Sequence, residues 1–488
     1  MSDDFDSGSL TPRQRRRLSR VPSDRAMIAT LAATGLIAAF MQTIVTPIIP
    51  ELPQLLDTTT ADASWVLTAT LLAAAISTPI SGRLGDMYGK RRILLLLLAI
   101  LGFGSIIAAL STTLIPMIVA RVFQGVGLGV IALGISILRD VIHPKNLGGA
   151  VALVSATLGI GGSLGLPLAA SIAQAFDWHW LFWLATVLSI GAMVAVVVII
   201  PESTLRSGGR FDFGGAIGLA VGLVGILLAV SKGTAWGWTS PVTLGLLGGG
   251  LLVLVAWGFY ELRVQNPLVD LRVAARRPVL LTNLTSITIG FAFFVVSASL
   301  PVVLELPVAT GVGLGLPLIL ASLCLMPLGI VMFFTSPFAA RLSAARGART
   351  SLILGGAIVT IGFTFGIGFL HEIWHVILIS TITGLGVGFA YAAMPTLIMR
   401  AVPPTETAAA NGLNSVMRTL GSSVSATLVG VVLASHSTLV TGVEIPSREG
   451  FMWVFIMGAS VTLIGVIIAL FIPRRAPNYD TASIPVVR

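Results

Sequence analysis

The chemistry available to this chain rests on a few charged and amide side chains set among long apolar runs. Gly82-Arg83-Leu84-Gly85-Asp86-Met87-Tyr88-Gly89-Lys90-Arg91-Arg92 packs three glycines, one acid and four bases into eleven residues between two such runs. Gly82, Gly85 and Gly89 permit tight turns and close helix approach. Asp86 can pair with a base or face the positive end of a helix. Charge at this density is tolerated where a membrane chain surfaces into water, so the stretch reads as a turn at a membrane face.

Two arginines stand inside apolar runs. Each costs at least about 2.5–3.5 kcal/mol there unless it finds partners. Arg121, in Arg121-x-x-Gln124-Gly125-x-Gly127, either faces a bundle interior or snorkels to the interface. Arg418 shares a helical face with Asn411, Asn414, Ser415 and Ser422 by their 3–4 spacing. Such a polar stripe lines a water-filled path or forms a hydrogen-bonded seam between helices. With Gln42, Thr43, Gln124 and Asn283, this stripe is the candidate cavity lining. A cation without a buried acid favours neutral, anionic or amphipathic cargo.

Other chemistries find no support. None of the twenty acids falls in the middle of an apolar run, and the five histidines do not cluster at metal-ligand spacing. No metal or cofactor is expected. There is no phosphate-cradling G-x-x-x-x-G-K-(S/T) and no G-x-S-x-G elbow, so ATP drive and acyl chemistry are not indicated.

The elements that must hold these residues follow from composition. The 488 residues are 55% hydrophobic and 10% charged, against roughly 25% charged in a soluble domain. The lipid bilayer must be the solvent. With spans of about 20 residues, fourteen are expected, at 27–49, 65–84, 93–111, 114–137, 148–173, 180–200, 213–231, 242–260, 279–304, 315–335, 351–370, 374–395, 407–434 and 451–472. Of the 29 Lys and Arg, 25 then fall on one side; Lys232 and Arg448 fall on the other, and Arg121 and Arg418 within spans. That bias sets both chain ends in the cytoplasm and explains the net charge of +9 without nucleic acid.

The chain also repeats. Gly125-Val126-Gly127-Leu128-Gly129 answers Gly384-Leu385-Gly386-Val387-Gly388. Arg83-Leu84 with Gly89 answers Arg341-Leu342 with Gly347, and Pro47-x-x-x-Glu51-Leu52-Pro53 answers Pro301-x-x-x-Glu305-Leu306-Pro307. The offsets nearly coincide, so spans 1–6 and 9–14 are two halves in the same orientation, with spans 7 and 8 inserted. The expected units are a basic cytoplasmic tail at 1–26, a six-helix bundle at 27–200, an inserted pair with linkers at 201–278, a second six-helix bundle at 279–472 and a cytoplasmic tail at 473–488.

Gly82, Leu84, Asp86, Gly89, Lys90 and Arg91 match G-x-L-x-D-x-x-G-(R/K)-(R/K), and the chain thereby resembles the major facilitator superfamily. Arg121-x-x-Gln124-Gly125-x-Gly127 is similar to that family's R-x-x-Q-G-x-G. Gly161, Gly165 and Pro167 resemble its antiporter motif, although Gly-Leu-Pro replaces Gly-Pro; plain helix packing is the other reading of that segment. The 6 + 2 + 6 plan is similar to its fourteen-span drug:proton antiporters. The resemblance implies an all-α plasma-membrane protein that alternates access for a small-molecule substrate by secondary active transport, with Gly82 to Arg91 as a gating loop. It implies roles in proton coupling or cavity electrostatics for Arg121 and Gln124.

One departure matters. Met41-Gln42-Thr43-Ile44-Val45 stands where the family carries D-x-T-I-V, so the first-span acid is missing. Coupling then runs through Glu51 and Glu305, or through Asp86 and its partners, or is absent. Glu51 and Glu305 also read simply as polar helix ends before proline. The expected function is export of drugs or amphipathic metabolites. Export of lipids or envelope components, uptake, and a sensor or scaffold without transport are the alternatives.

Overall fold

The computed structural model describes residues 22–49, 51–203, 205–440 and 443–474. Most of both expected tails lies outside the described residues, with Arg13, Arg15, Arg16, Arg17, Arg20, Arg475 and Arg488. Among the described residues, fourteen helices are long and apolar enough to cross a bilayer: α1 (Asp24–Ile48), α2 (Trp65–Tyr88), α3 (Lys90–Ala109), α4 (Leu114–Val141), α5 (Pro144–Ala175), α6 (His179–Ile199), α7 (Phe213–Trp236), α8 (Pro241–Glu261), α9 (Arg277–Glu305), α10 (Leu318–Arg346), α11 (Ala348–Gly368), α12 (Ile373–Ala401), α13 (Pro404–Ser435) and α14 (Arg448–Leu470). Helix is forced here, because lipid offers no partner to a bare backbone N–H or C=O.

Several helices overrun their apolar stretch on the face that carries the basic residues. α10 extends to Arg346 rather than 335, and α12 to Ala401 rather than 395. Counting apolar residues finds the part in hydrocarbon; the helix continues wherever its end packs on protein. Among the described residues, a strand pair stands among the short elements that join the helices. Residues Ser437–Val440 (β1) and Val443–Pro446 (β2) pair as an antiparallel hairpin between α13 and α14, with Ser437 opposite Pro446.

Each six-helix half has its own apolar core. Leu31, Ile44, Leu94, Leu133 and Phe182 anchor the first, and Ile289, Val296, Met332, Phe363 and Phe455 the second. The repeat is visible in the backbone. Gly89 between α2 and α3 and Gly347 between α10 and α11 both have positive φ, +114° and +90°. Each donates its N–H back to the preceding helix, to Gly85 O at 3.0 Å and Ser343 O at 3.1 Å. Only glycine takes this conformation cheaply, so the two related turns keep it.

The halves meet along α2 with α13 and α5 with α10. The inserted pair sits on the first of these seams. Ala216, Leu219, Leu223 and Leu227 of α7 form one apolar cluster with Ala75 of α2 and Val416 of α13. Toward the opposite face, Thr68 of α2 bonds Ser231 of α7 at 3.0 Å, and Thr427 of α13 donates to Val230 O at 2.8 Å. α8 packs on α7 through Gly222, Gly225 and Gly250, where the backbones touch, and exposes most of its length.

Candidate functional site

The stretch expected as a water-exposed gating loop is corrected by the structure. Gly82, Gly85 and Asp86 lie in the last turns of α2, Lys90 and Arg91 open α3, and Gly89 alone makes the turn. Asp86 and Lys90 are each only 1% exposed. They tolerate burial because every charge has a partner. Asp86 accepts N–H groups from Ala408 at 3.3 Å and Ala409 at 2.9 Å, at the N-terminus of α13 in the other half. Lys90 Nζ lies 3.7 Å from Asp86, donates to Asp140 Oδ2 at 2.8 Å and reaches Thr407 Oγ1 at 3.2 Å. Asp86 thus does both things open to it: it pairs with a base and caps a helix.

Gly82 makes the approach possible. A Cβ there would strike the Ala408 carbonyl, so α2 and α13 touch backbone to backbone at this level. Arg139 of α4 adds a donor to Val402 O at 3.4 Å. Arg91 does not cross the seam: its Nη2 caps the end of α6 at Val197 O, at 2.6 Å. The linker after α6 is tied to the same cluster. Ser203 donates to Asp140 Oδ2 at 2.6 Å, Ser207 N–H to Asp86 O at 2.8 Å, and Glu202 pairs with Arg92 at 2.6 Å. No motif or spacing marks Asp140 or these linker residues in the sequence. Asp140, an acid at the end of α4 beside Arg139, was the available signal.

A second polar cluster lies within the C-terminal half. Asn414 donates to Asn283 Oδ1 at 2.9 Å and to Ser286 Oγ at 2.7 Å. Arg418 donates to Asn414 Oδ1 and to Ser415 Oγ, both at 3.2 Å. Its guanidinium carbon lies 5.0 Å from the centre of the Tyr391 ring, within cation–π range. Among the described residues no carboxylate forms an ion pair with it. Asn411 donates to Thr407 O at 2.9 Å and leaves its Oδ1 without a partner. Tyr391 gave no signal in the sequence.

Gln124 belongs elsewhere, contrary to the expected common lining. It is buried in the N-terminal half, where its carbonyl accepts Arg121 Nη1 at 2.6 Å and its amide donates to Ser105 at 3.0 Å. Arg121, 0% exposed, completes its bonding on main-chain carbonyls, Met41 O and Val66 O, both at 3.3 Å. It is interior rather than snorkelling. The carbonyl of Met41 takes the guanidinium at the position where the first-span acid is missing. Gln42 is exposed, and Thr43 lies against Gly165 of α5. Gly161 packs on Leu36 O, so Gly161 and Gly165 together seat α1 on α5, and Pro167 lies inside α5. Glu51 and Glu305 are both exposed and form no ion pair among the described residues.

Two parallel-repeat bundles of membrane helices, joined across a seam by an acid that caps a helix of the opposite bundle, define a secondary transporter rather than an enzyme. Comparison with known proteins agrees. The family model of the Major Facilitator Superfamily matches residues 31–426 and, in a second match, 328–484, and the chain belongs to that superfamily. It is 25% identical to the lincomycin resistance protein LmrB of Listeria monocytogenes, over 92% of this chain and 96% of that one. It is 26% identical to a multidrug resistance protein B homolog of Mycobacterium tuberculosis, over 78% and 72%. Multidrug resistance protein 3 of Bacillus subtilis is 24% identical, over 76% and 72%. The human organic anion transporter MFSD10 has the same fold, with TM-score 0.65 and 14% identity over 92% of this chain and all of that one.

Proposed function

We propose that this protein exports drug-like amphipathic molecules across the plasma membrane by alternating access, driven by a proton gradient, with the basic face in the cytoplasm. The observation that carries the reading is the contact between Asp86 and the N-terminus of α13, which ties the two bundles together on the basic face by polar groups that can let go. Relatives named for multidrug and lincomycin resistance support the cargo class. Arg418, held by Asn414, Ser415 and Tyr391 without a carboxylate, suits neutral or anionic amphiphiles over simple cations.

Glu51 and Glu305, both exposed and without an ion pair among the described residues, are poor candidates for coupling. Asp86 and Asp140, which share the single ammonium of Lys90, are better ones. A proton arriving on either carboxylate would loosen the network that closes the basic face. The test is flux in proteoliposomes under an imposed pH gradient, over cations, anions and lipids, repeated with Glu305→Gln. Gradient-dependent flux of an amphiphile, unchanged by Glu305→Gln, is the expected outcome. No flux of any compound would turn the reading toward a sensor or scaffold.

A further inference from the structure

The inserted pair carries two carboxylates that neither the latch nor the Arg418 cluster uses. Asp212 caps the start of α7 and Glu261 ends α8; they are 8% and 2% exposed. Asp212 Oδ1 accepts Gly215 N–H at 2.8 Å and the Tyr260 hydroxyl at 2.9 Å. Among the described residues, neither Asp212 Oδ2 nor either oxygen of Glu261 has a hydrogen-bond partner at full bonding geometry. These free oxygens converge. A Cβ added to Gly215 would run into Asp212 Oδ2 and Glu261 Oε1 together, so both carboxylates reach the same spot beside that glycine.

The surrounding groups do not neutralise the pair. The Trp257 indole donates to Gly215 O at 2.8 Å. The N–H groups of Leu268 and Val269, and the indole, lie close enough to Glu261 to favour its charge, but they supply no cation. The flanking segments carry Arg206, Arg210, Arg263 and Asp270, and Arg83 of α2 borders the 268–269 loop. Among the described residues none of them forms an ion pair with Asp212 or Glu261. Two buried carboxylates with no cation between them resist double ionisation, because desolvation and like-charge repulsion act in the same direction.

We propose that Asp212 and Glu261 share a bound proton, and that this site sets how firmly the linker from α6 to α7 holds the latch. The linker is the physical connection: it bonds Asp140 through Ser203 and Asp86 through Ser207, then runs directly into Asp212. With the proton bound, the base of the α7–α8 hairpin stays packed. When pH rises and the proton leaves, two facing charges repel, the base opens and the linker slackens. The site belongs to the pair, not to either residue alone. It stands whether or not export is proton-driven, since its test reads no transport.

The full-length protein in nanodiscs is titrated while two signals are followed: the infrared C=O stretch of protonated carboxyl, and hydrogen exchange of residues 205–212. In the wild type a carboxyl band should disappear as pH rises, and exchange should increase about tenfold over the same range. Glu261→Gln should lack the band and exchange slowly throughout. Asp212→Asn should lack it as well; asparagine caps a helix as well as aspartate, so α7 keeps its start. If both variants keep the wild-type band, or Glu261→Gln follows the wild-type exchange curve, the shared-proton site is overturned.

Discussion

The Asp86 carboxylate of α2 accepts the Ala409 N–H of α13 at 2.9 Å, so a residue of the first bundle caps a helix of the second. Asparagine at position 86 would keep the shape but lose the charge that the helix end and Lys90 both meet. Charge-assisted hydrogen bonds are roughly twice as strong as neutral ones. Asp86→Asn should therefore cut flux in proteoliposomes by about tenfold or more, at normal expression. Full retained activity would remove the latch from the mechanism.

Gly82 tests the same contact by volume. Valine there would drive its side chain into the Ala408 backbone, which cannot swing away as a flexible side chain can. Gly82→Val should raise hydrogen exchange at 407–411, and Gly82→Ala should do so less. Unchanged protection in both would mean that close approach at this level is unimportant.

Arg418 is held by two neutral side chains and an aromatic face. Arg418→Ala should lower transport of anionic or neutral amphiphiles by about tenfold, the scale of one charge-assisted contact. Tyr391→Phe keeps the ring and should be nearly silent, whereas Tyr391→Leu should fall with Arg418→Ala. Flux of every cargo unaffected by Arg418→Ala, in a folded protein, would move the binding site elsewhere.

Gln124 accepts from a fully buried arginine. Leucine in its place would leave that donor without its side-chain acceptor, at a cost of about 2 kcal/mol. Gln124→Leu should lower the thermal midpoint of the purified protein while leaving the Arg418 cluster intact. A midpoint equal to wild type would show that the Met41 and Val66 carbonyls suffice.

The layout itself is open to test. A single cysteine placed between 263 and 277, in a background lacking Cys324, should react with an impermeant maleimide only after the cells are permeabilised. Labelling from outside intact cells would invert the assignment of the basic face.

Much of the fold is legible in the sequence. Apolar length alone marks fourteen spans, because a bilayer demands continuous helix and punishes charge. The matched Gly89 and Gly347 mark two related turns, and both take a positive φ. These are local properties: composition, spacing and the φ that only glycine takes readily. What tertiary structure decided is which polar group meets which. Gln124 and Arg418 look alike in sequence, as polar residues inside apolar helices, yet one is sealed in the first bundle and the other sits on Tyr391 in the second. The sequence allows Asp86 a helix end as partner but does not say which; the fold supplies the two N–H groups of α13. Asp212 and Glu261 lie far apart in the chain, and nothing in their spacing says that they meet. Burial and partnership of a charge depend on neighbours brought in from distant sequence, and a one-dimensional pattern carries no record of them.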